Sequence, residues 1–120
     1  MSTDFDSDEV DLVFEVRREG EVAVVSLQGE VTVFSSPALR DSLKKVMEEK
    51  PGRIVLDLSG VQYVDSSGVA TFVDALRQMR GRGGEMVLAG ASKRVRGVIE
   101  IARLDTLFPM ADSVEEALRS

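Results

Sequence analysis

The feature that most constrains this chain is a nearly continuous apolar run at residues 54–58, Ile-Val-Leu-Asp-Leu. A short run of this kind is typical of a strand that is buried on both faces. The apolar faces of such a strand must be covered by other elements, such as helices packed on the sheet. Apolar residues at helical spacing occur both before and after the run. The apolar residues recur at Leu39, Leu43, Val46 and Met47 before it, and at Val69, Phe72, Val73, Leu76 and Met79 after it. We therefore predict an α/β fold with this run as a central strand.

The segment before this run predicts a hairpin and a first helix. Two strand-like runs, one around Val13 and Val16 and one over residues 22–27, are separated by a polar turn containing Gly20, which predicts an antiparallel hairpin. The sequence Ser-Ser-Pro at residues 35–37 predicts the start of a helix, with a serine hydroxyl capping the free amides.

The segment after the run continues the alternation. Residues 86–89 predict a strand, Ser92 predicts the start of a helix, and Leu107 with Phe108 predict a short edge strand. Ser113 and Glu116 have the spacing of a capping box before a last helix. The order β-β-α-β-α-β-α-β-α predicts a mixed, mostly parallel sheet with an N-terminal hairpin, flanked by about four helices.

The charge divides the chain into two parts. The formal net charge of the 120 residues is −6, and removing the acidic residues of positions 1–11 leaves −1. We therefore predict an acidic, disordered tail at residues 1–11 and one near-neutral domain at residues 12–120. The start lacks the basic and apolar regions of a signal peptide, and no apolar run is long enough to enter a membrane, so we expect a cytoplasmic protein.

The residue types exclude much catalytic chemistry. The chain has no Cys and no His, which excludes a cysteine nucleophile, a Ser-His-Asp triad and zinc sites built on those ligands. We expect no catalytic residues, no metal site and no cofactor. An enzyme that uses carboxylates or Ser66 is disfavoured because Asp65, adjacent in sequence, is poorly placed as a base for Ser66, and G-x-S-x-G is absent.

The most informative segment is Asp-Ser-Ser-Gly at residues 65–68, which joins the central strand to the following helix. Serines at a helix N-terminus lie where exposed amides and the helix dipole favour negative charge. A phosphate on such a serine would disturb a docked partner more than the fold, since Asp65 would repel it. The simpler alternative is that Ser66 only caps the helix and Gly68 only gives room for packing.

Residues 54–68 resemble the signature of the STAS domain, and in particular that of anti-sigma-factor antagonists. Residues 27–31, Leu-Gln-Gly-Glu-Val, resemble an early strand end of that family. Residues 84–88, 95–98 and 102–108 resemble its later strand and third helix, so the resemblance covers about residues 12–118. It implies a sheet flanked by helices, in agreement with the pattern above.

The resemblance also implies a phosphorylation switch at Ser66. An anti-sigma factor that is a serine kinase would phosphorylate it, the unmodified chain would bind that kinase and free a sigma factor, and a serine phosphatase would reset it. Asp65 would orient Ser66, Ser67 would flank it, and Gly68 would let the partner approach. Glu30 and Thr32 would lie on the neighbouring loop. Many antagonists have an aspartate where this chain has Thr32, which can form hydrogen bonds but carries no charge.

Other roles remain open at this point. STAS domains also serve in stress-signalling assemblies and as cytoplasmic partners of lipid-transport ABC permeases, so this chain could be such a subunit. The late basic residues form either a solvated face or a docking patch; they are Arg77, Arg80, Arg82, Lys93, Arg94 and Arg96. We expect no nucleic-acid partner, because the chain is net acidic and lacks an aromatic stacking set.

Overall fold

The computed structural model describes residues 12–119, so the predicted acidic tail at residues 1–11 lies outside the described residues. The strands are β1 (Leu12–Glu19), β2 (Val22–Val31), β3 (Arg53–Val64), β4 (Glu85–Ala89) and β5 (Met110–Ala111). The helices are α1 (Ser36–Glu48), α2 (Ser66–Gly81), α3 (Lys93–Ile101) and α4 (Val114–Arg119), with a 3₁₀ turn at Leu104–Thr106.

The five strands form one sheet in the order β1-β2-β3-β4-β5. β1 and β2 are antiparallel, and every later pair is parallel. The predicted hairpin, the parallel crossovers and the number of helices are confirmed. The apolar run lies in the middle strand, where Ile54, Val55 and Leu56 are fully buried.

The two faces of the sheet are covered unequally. Helices α1, α2 and α3 pack on one face around a large core that includes Leu39, Phe72 and Ile99. On the other face, a smaller cluster joins Val24, Val55 and Val87 of the strands to Ala117 of α4. Along the chain each helix comes after a strand, so its start follows the carboxyl end of that strand.

The predicted edge strand at Leu107 and Phe108 is wrong. Both amides donate to the carbonyl of Leu104, which continues the 3₁₀ turn, and the Phe108 side chain is buried. The edge strand begins after Pro109, where Met110 pairs with Leu88 and Ala111 with Ala89. Burial of the Phe108 ring in the core, not strand pairing, explains the apolar pair.

The helix starts differ from the predictions in detail. Ser113 Oγ accepts from the Glu116 amide at 3.1 Å, as a capping box requires. The Glu116 carboxylate, however, accepts from the amide of Asp112 at 2.8 Å, one residue earlier than predicted. Ser35 lies at the start of α1, but its hydroxyl makes no capping hydrogen bond to that helix.

Candidate functional site

The predicted site residues lie together at the carboxyl ends of β2 and β3. The parallel register places Glu30 opposite Tyr63 and Val31 opposite Val64. The Asp65 amide then donates to the Val31 carbonyl at 3.0 Å, which extends the pairing into the start of α2. The loop that follows β2 and the first turn of α2 are therefore neighbours in space.

Asp65, and not Ser66, caps α2. Its backbone is extended (φ −100°, ψ −174°), and its Oδ1 accepts from the Gly68 amide at 3.0 Å. Its Oδ2 accepts from the Val33 amide, also at 3.0 Å. One carboxylate thus caps the helix and joins it to the loop after β2. The suggestion that Ser66 only caps the helix is wrong, because the cap position is already occupied.

Ser66 is the first residue of α2, and it is exposed. Within residues 12–119 its hydroxyl forms no hydrogen bond, including none to Asp65. Asp65 contacts the first turn of α2 through the Gly68 amide and not through the Ser66 hydroxyl. The hydroxyl is left available to a reactant from solution.

Gly68 is buried and faces the interior. A Cβ at this position would lie 2.7 Å from Val31 Cγ1, 2.8 Å from Val64 Cγ1 and 2.9 Å from the Val31 carbonyl oxygen. The absence of a side chain lets α2 start close against the ends of β2 and β3. Packing therefore accounts for this glycine, as the simpler alternative proposed, and an approach by a partner is not needed to explain it.

The loop after β2 is a tight turn held by hydroxyl groups. Ser35 Oγ donates to the Glu30 carbonyl at 2.8 Å and accepts from the Thr32 amide at 2.9 Å. Thr32 Oγ1 accepts from the Phe34 amide at 3.2 Å. An aspartate at Thr32 could accept the same amide hydrogen, so the departure from the family pattern keeps an acceptor and removes a charge.

Ser67 lines a shallow groove between α1 and α2. The groove is bordered by Arg40, whose guanidinium donates to Thr71 Oγ1 at 3.1 Å. Thr71 in turn donates to the Ser67 carbonyl at 2.9 Å. The sequence did not indicate Arg40 as part of this region, because its proximity to Ser67 depends on how the two helices pack.

The late basic residues differ in their contacts within the chain. Arg80 pairs with Glu85 at 2.9 Å, Arg82 donates to the Met47 carbonyl at 2.9 Å, and Arg96 lies 3.4 Å from Asp112. Half of the cluster is thus engaged in contacts within the chain. The remaining members, Arg77, Lys93 and Arg94, are exposed.

Two further properties concern the described part of the chain. Residues 12–119 contain no cluster of acidic side chains arranged to hold a metal ion. No helix within the same residues has the length and apolar character needed to cross a membrane.

Comparison with known proteins gives consistent matches. The family description "STAS domain" matches residues 13–117. The anti-sigma-B factor antagonist of Listeria monocytogenes is 33% identical over 85 residues, which are 70% of this chain and 74% of that protein. The crystal structure of an anti-sigma factor antagonist from Mycobacterium paratuberculosis superposes with a TM-score of 0.83 at 26% identity, over 90% of this chain and 92% of that one.

A third match shows the fold alone. The structure of the Bacillus cell fate determinant SpoIIAA in its phosphorylated form superposes with a TM-score of 0.70 at 22% identity, over 89% of this chain and 97% of that one. The family match covers the hairpin, the parallel strands and the first turn of α2. The chain belongs to the STAS domain family, and the relatives that it matches include anti-sigma-factor antagonists.

Proposed function

We propose that this chain is an anti-sigma-factor antagonist controlled by phosphorylation of Ser66. In the unmodified state it binds an anti-sigma factor that is also a serine kinase, and this releases a sigma factor. Phosphorylation by that kinase ends the binding, and a serine phosphatase restores it. The chain is the substrate in this cycle and is not itself an enzyme.

The observation that carries the proposal is the state of the Ser66 hydroxyl. It is exposed at the first position of a 16-residue helix and has no hydrogen bond within the described residues. A kinase needs a nucleophilic oxygen that can align with the terminal phosphate of ATP. Because Asp65 caps the helix, the fold does not need this hydroxyl for its own stability.

The electrostatic environment supports an effect on binding more than on folding. Phosphate adds a charge of about −1.5 to −2 at a helix N-terminus, where the helix dipole favours negative charge. The neighbouring Asp65 carboxylate opposes the same charge. Since these two effects act in opposite directions, the fold tolerates the modification while the outer surface becomes strongly negative.

The relatives support the same role. The Listeria protein is named an anti-sigma-B factor antagonist, and SpoIIAA has been solved with phosphate on a similar fold. The name of the Listeria protein supports an anti-sigma factor as the partner. The kinase activity of that partner and the phosphatase belong to the proposal through the family resemblance and the exposed Ser66 hydroxyl.

The test is phosphorylation in a defined mixture. The anti-sigma serine kinases of the source organism are purified, and each is incubated with the wild-type chain and radiolabelled ATP. We expect one of them to label the chain, and mass spectrometry to place the phosphate on Ser66. Ser66→Ala should abolish labelling, while Ser67→Ala, its neighbour in the same turn, should retain it.

Two outcomes contradict the proposal. Phosphate on Ser67 would show that the wrong hydroxyl was chosen, and labelling by none of the kinases would remove the proposed cycle. Co-purification of the chain with a permease and its ATPase, in place of a kinase, would support a transporter subunit.

A further inference from the structure

A group of exposed apolar side chains lies at the edge of the sheet that carries Ser66. Six large apolar residues in the described part are strongly exposed, and three of them lie at the carboxyl edge of β2 and β3. These are Val33, Phe34 and Tyr63, with exposed fractions of 56%, 84% and 44%. An apolar ring held in water contributes nothing to the core, so this edge calls for a separate explanation.

The turn holds Phe34 in this position. The Phe34 amide donates to Thr32 Oγ1, and the preceding Val33 amide donates to Asp65 Oδ2. The amides of Ser35 and Ser36 both donate to the Thr32 carbonyl, at 3.1 and 2.7 Å. Phe34 is therefore presented by a turn with a hydrogen bond at each of its amides, and the turn is joined to the cap of the phosphoacceptor helix.

Phe34 and Ser66 are close together compared with the radius of a typical protein–protein interface. Asp65 is adjacent to Ser66 and contacts the Val33 amide at 3.0 Å, and Phe34 is the next residue, about 3.8 Å further along the backbone. A standard interface covers about 800 Å² on each partner, which corresponds to a disc of about 16 Å radius. A kinase docked with its centre near Ser66 therefore also covers Phe34.

We propose that Phe34, supported by Val33, is the apolar anchor by which the anti-sigma kinase holds this chain, entering an apolar pocket on the kinase. The inference rests on the proposed function. Aromatic side chains that fill a pocket near the centre of an interface commonly supply most of the binding energy. The cap by Asp65 places the anchor and the phosphoacceptor in a fixed relation.

The anchor also explains how phosphate ends the binding. Docking of Phe34 requires that the surrounding surface lose water. A phosphate on Ser66 is strongly hydrated, and its dehydration beside the anchor is unfavourable. Modification therefore opposes the docking of the ring without any change in the fold.

The test compares two equally exposed apolar residues. Phe34→Ala and Ile101→Ala both remove a side chain that is more than four-fifths exposed, so neither should change the thermal unfolding of the chain. Ile101 is the last residue of α3, and crossover helices end at the opposite edge of the sheet. It is therefore a matched control for general surface hydrophobicity.

The probe is the purified kinase that labels the wild-type chain. By calorimetry, we expect Phe34→Ala to weaken binding at least about tenfold, and Ile101→Ala to change it less than about twofold. The KM for phosphorylation should rise with Phe34→Ala, while the phosphate remains on Ser66. If the wild type is bound and labelled but the two variants bind alike, the anchor is wrong and the proposed function stands. If no kinase labels the wild type, the proposed function fails and the anchor with it.

Discussion

The two ends of helix α2 are fixed in different ways. At the amino end, the Asp65 carboxylate accepts two amides, and Gly68 packs without a side chain against Val31 and Val64. At the carboxyl end, Arg80 and Glu85 form an ion pair in which both side chains are about 40% exposed. The end that bears the proposed phosphoacceptor is thus held by close packing and a cap shared with the loop after β2, whereas the charged pair at the other end lies where water can replace it.

This difference has a functional meaning. A serine offered to a kinase reacts best when its position is already set, because the cost of ordering it is then not taken from binding. The hydroxyl of Ser66 is unengaged, but the backbone that carries it is held by the Asp65 cap and by the packing of Gly68. Substitutions at the two ends of α2 should therefore differ in their effect on stability.

The largest effect should come from adding one methyl group at each end of α2. Gly68→Ala places a Cβ within 3.0 Å of both valines and a carbonyl oxygen, and we expect it to lower the free energy of unfolding by about 1–3 kcal/mol. Gly81→Ala meets nothing within 4 Å, and its better helix propensity should raise stability by up to about 1 kcal/mol. Urea denaturation measures the free energy of unfolding of both variants. Equal changes would show that the two ends of α2 do not differ in packing.

A smaller effect is expected from removing the charged group that holds each end. Asp65→Ala leaves the Gly68 and Val33 amides without their acceptor, and the loss of this cap should cost about 0.5–2 kcal/mol. Arg80→Ala removes a surface ion pair and a hydrogen bond to the Leu107 carbonyl, and it should cost less than about 1 kcal/mol. A greater loss of stability for Arg80→Ala in urea denaturation would reverse the comparison.

The smallest effect depends on pH and concerns the carboxyl end. Burial raises the pKa of Glu85, but the hydrogen bond from Arg80, the Met86 amide and the charge of Arg80 outweigh it and leave this pKa lowered. Because the folded pKa lies below the unfolded value of about 4.3, the contribution of Glu85 is present above that pH and is lost as the pH falls through the folded pKa. Solvent screening at this exposed pair limits the contribution to about 1 kcal/mol or less.

Glu85→Gln should therefore reduce stability slightly at pH 7 and leave the difference from wild type smaller at pH 3. Chemical denaturation at both pH values measures this. A difference that grows as the pH falls would show that the sign assigned to the Glu85 pKa is wrong.

Most of the fold could be predicted because its signals are local. The apolar run at residues 54–58 became the central part of β3, and the helical spacing of Phe72, Leu76 and Met79 became the buried face of α2. The failure at Leu107 and Phe108 has a specific cause, since two adjacent apolar residues do not distinguish a strand from a turn that buries one ring. Pairing begins at Met110 because this is where the chain reaches the free edge of β4, and this position is known only from the tertiary structure.

The sequence predicted which residues form the candidate site, but it did not predict which atoms those residues contact. Both Asp65 and Ser66 are residue types that cap helices, and the sequence alone does not choose between them. The choice follows from the pairing of Asp65 with Val31, which makes its backbone extended and directs its carboxylate to two amides. The exposure of Phe34 also has no sequence signal, because it depends on how the turn is tied to α2.

The amino-acid sequence by itself determined the alternation of strands and helices, the position of Ser66 at the start of α2 and the resemblance to the STAS family. These depend on apolar periodicity and on short motifs, which act between residues close along the chain. The tertiary structure alone decided that one carboxylate joins the loop after β2 to the start of α2, that Gly68 faces inward and that Phe34 faces water. Those features depend on residues more than 30 positions apart, such as Val33 and Asp65, whose contact exists only once β2 and β3 are paired.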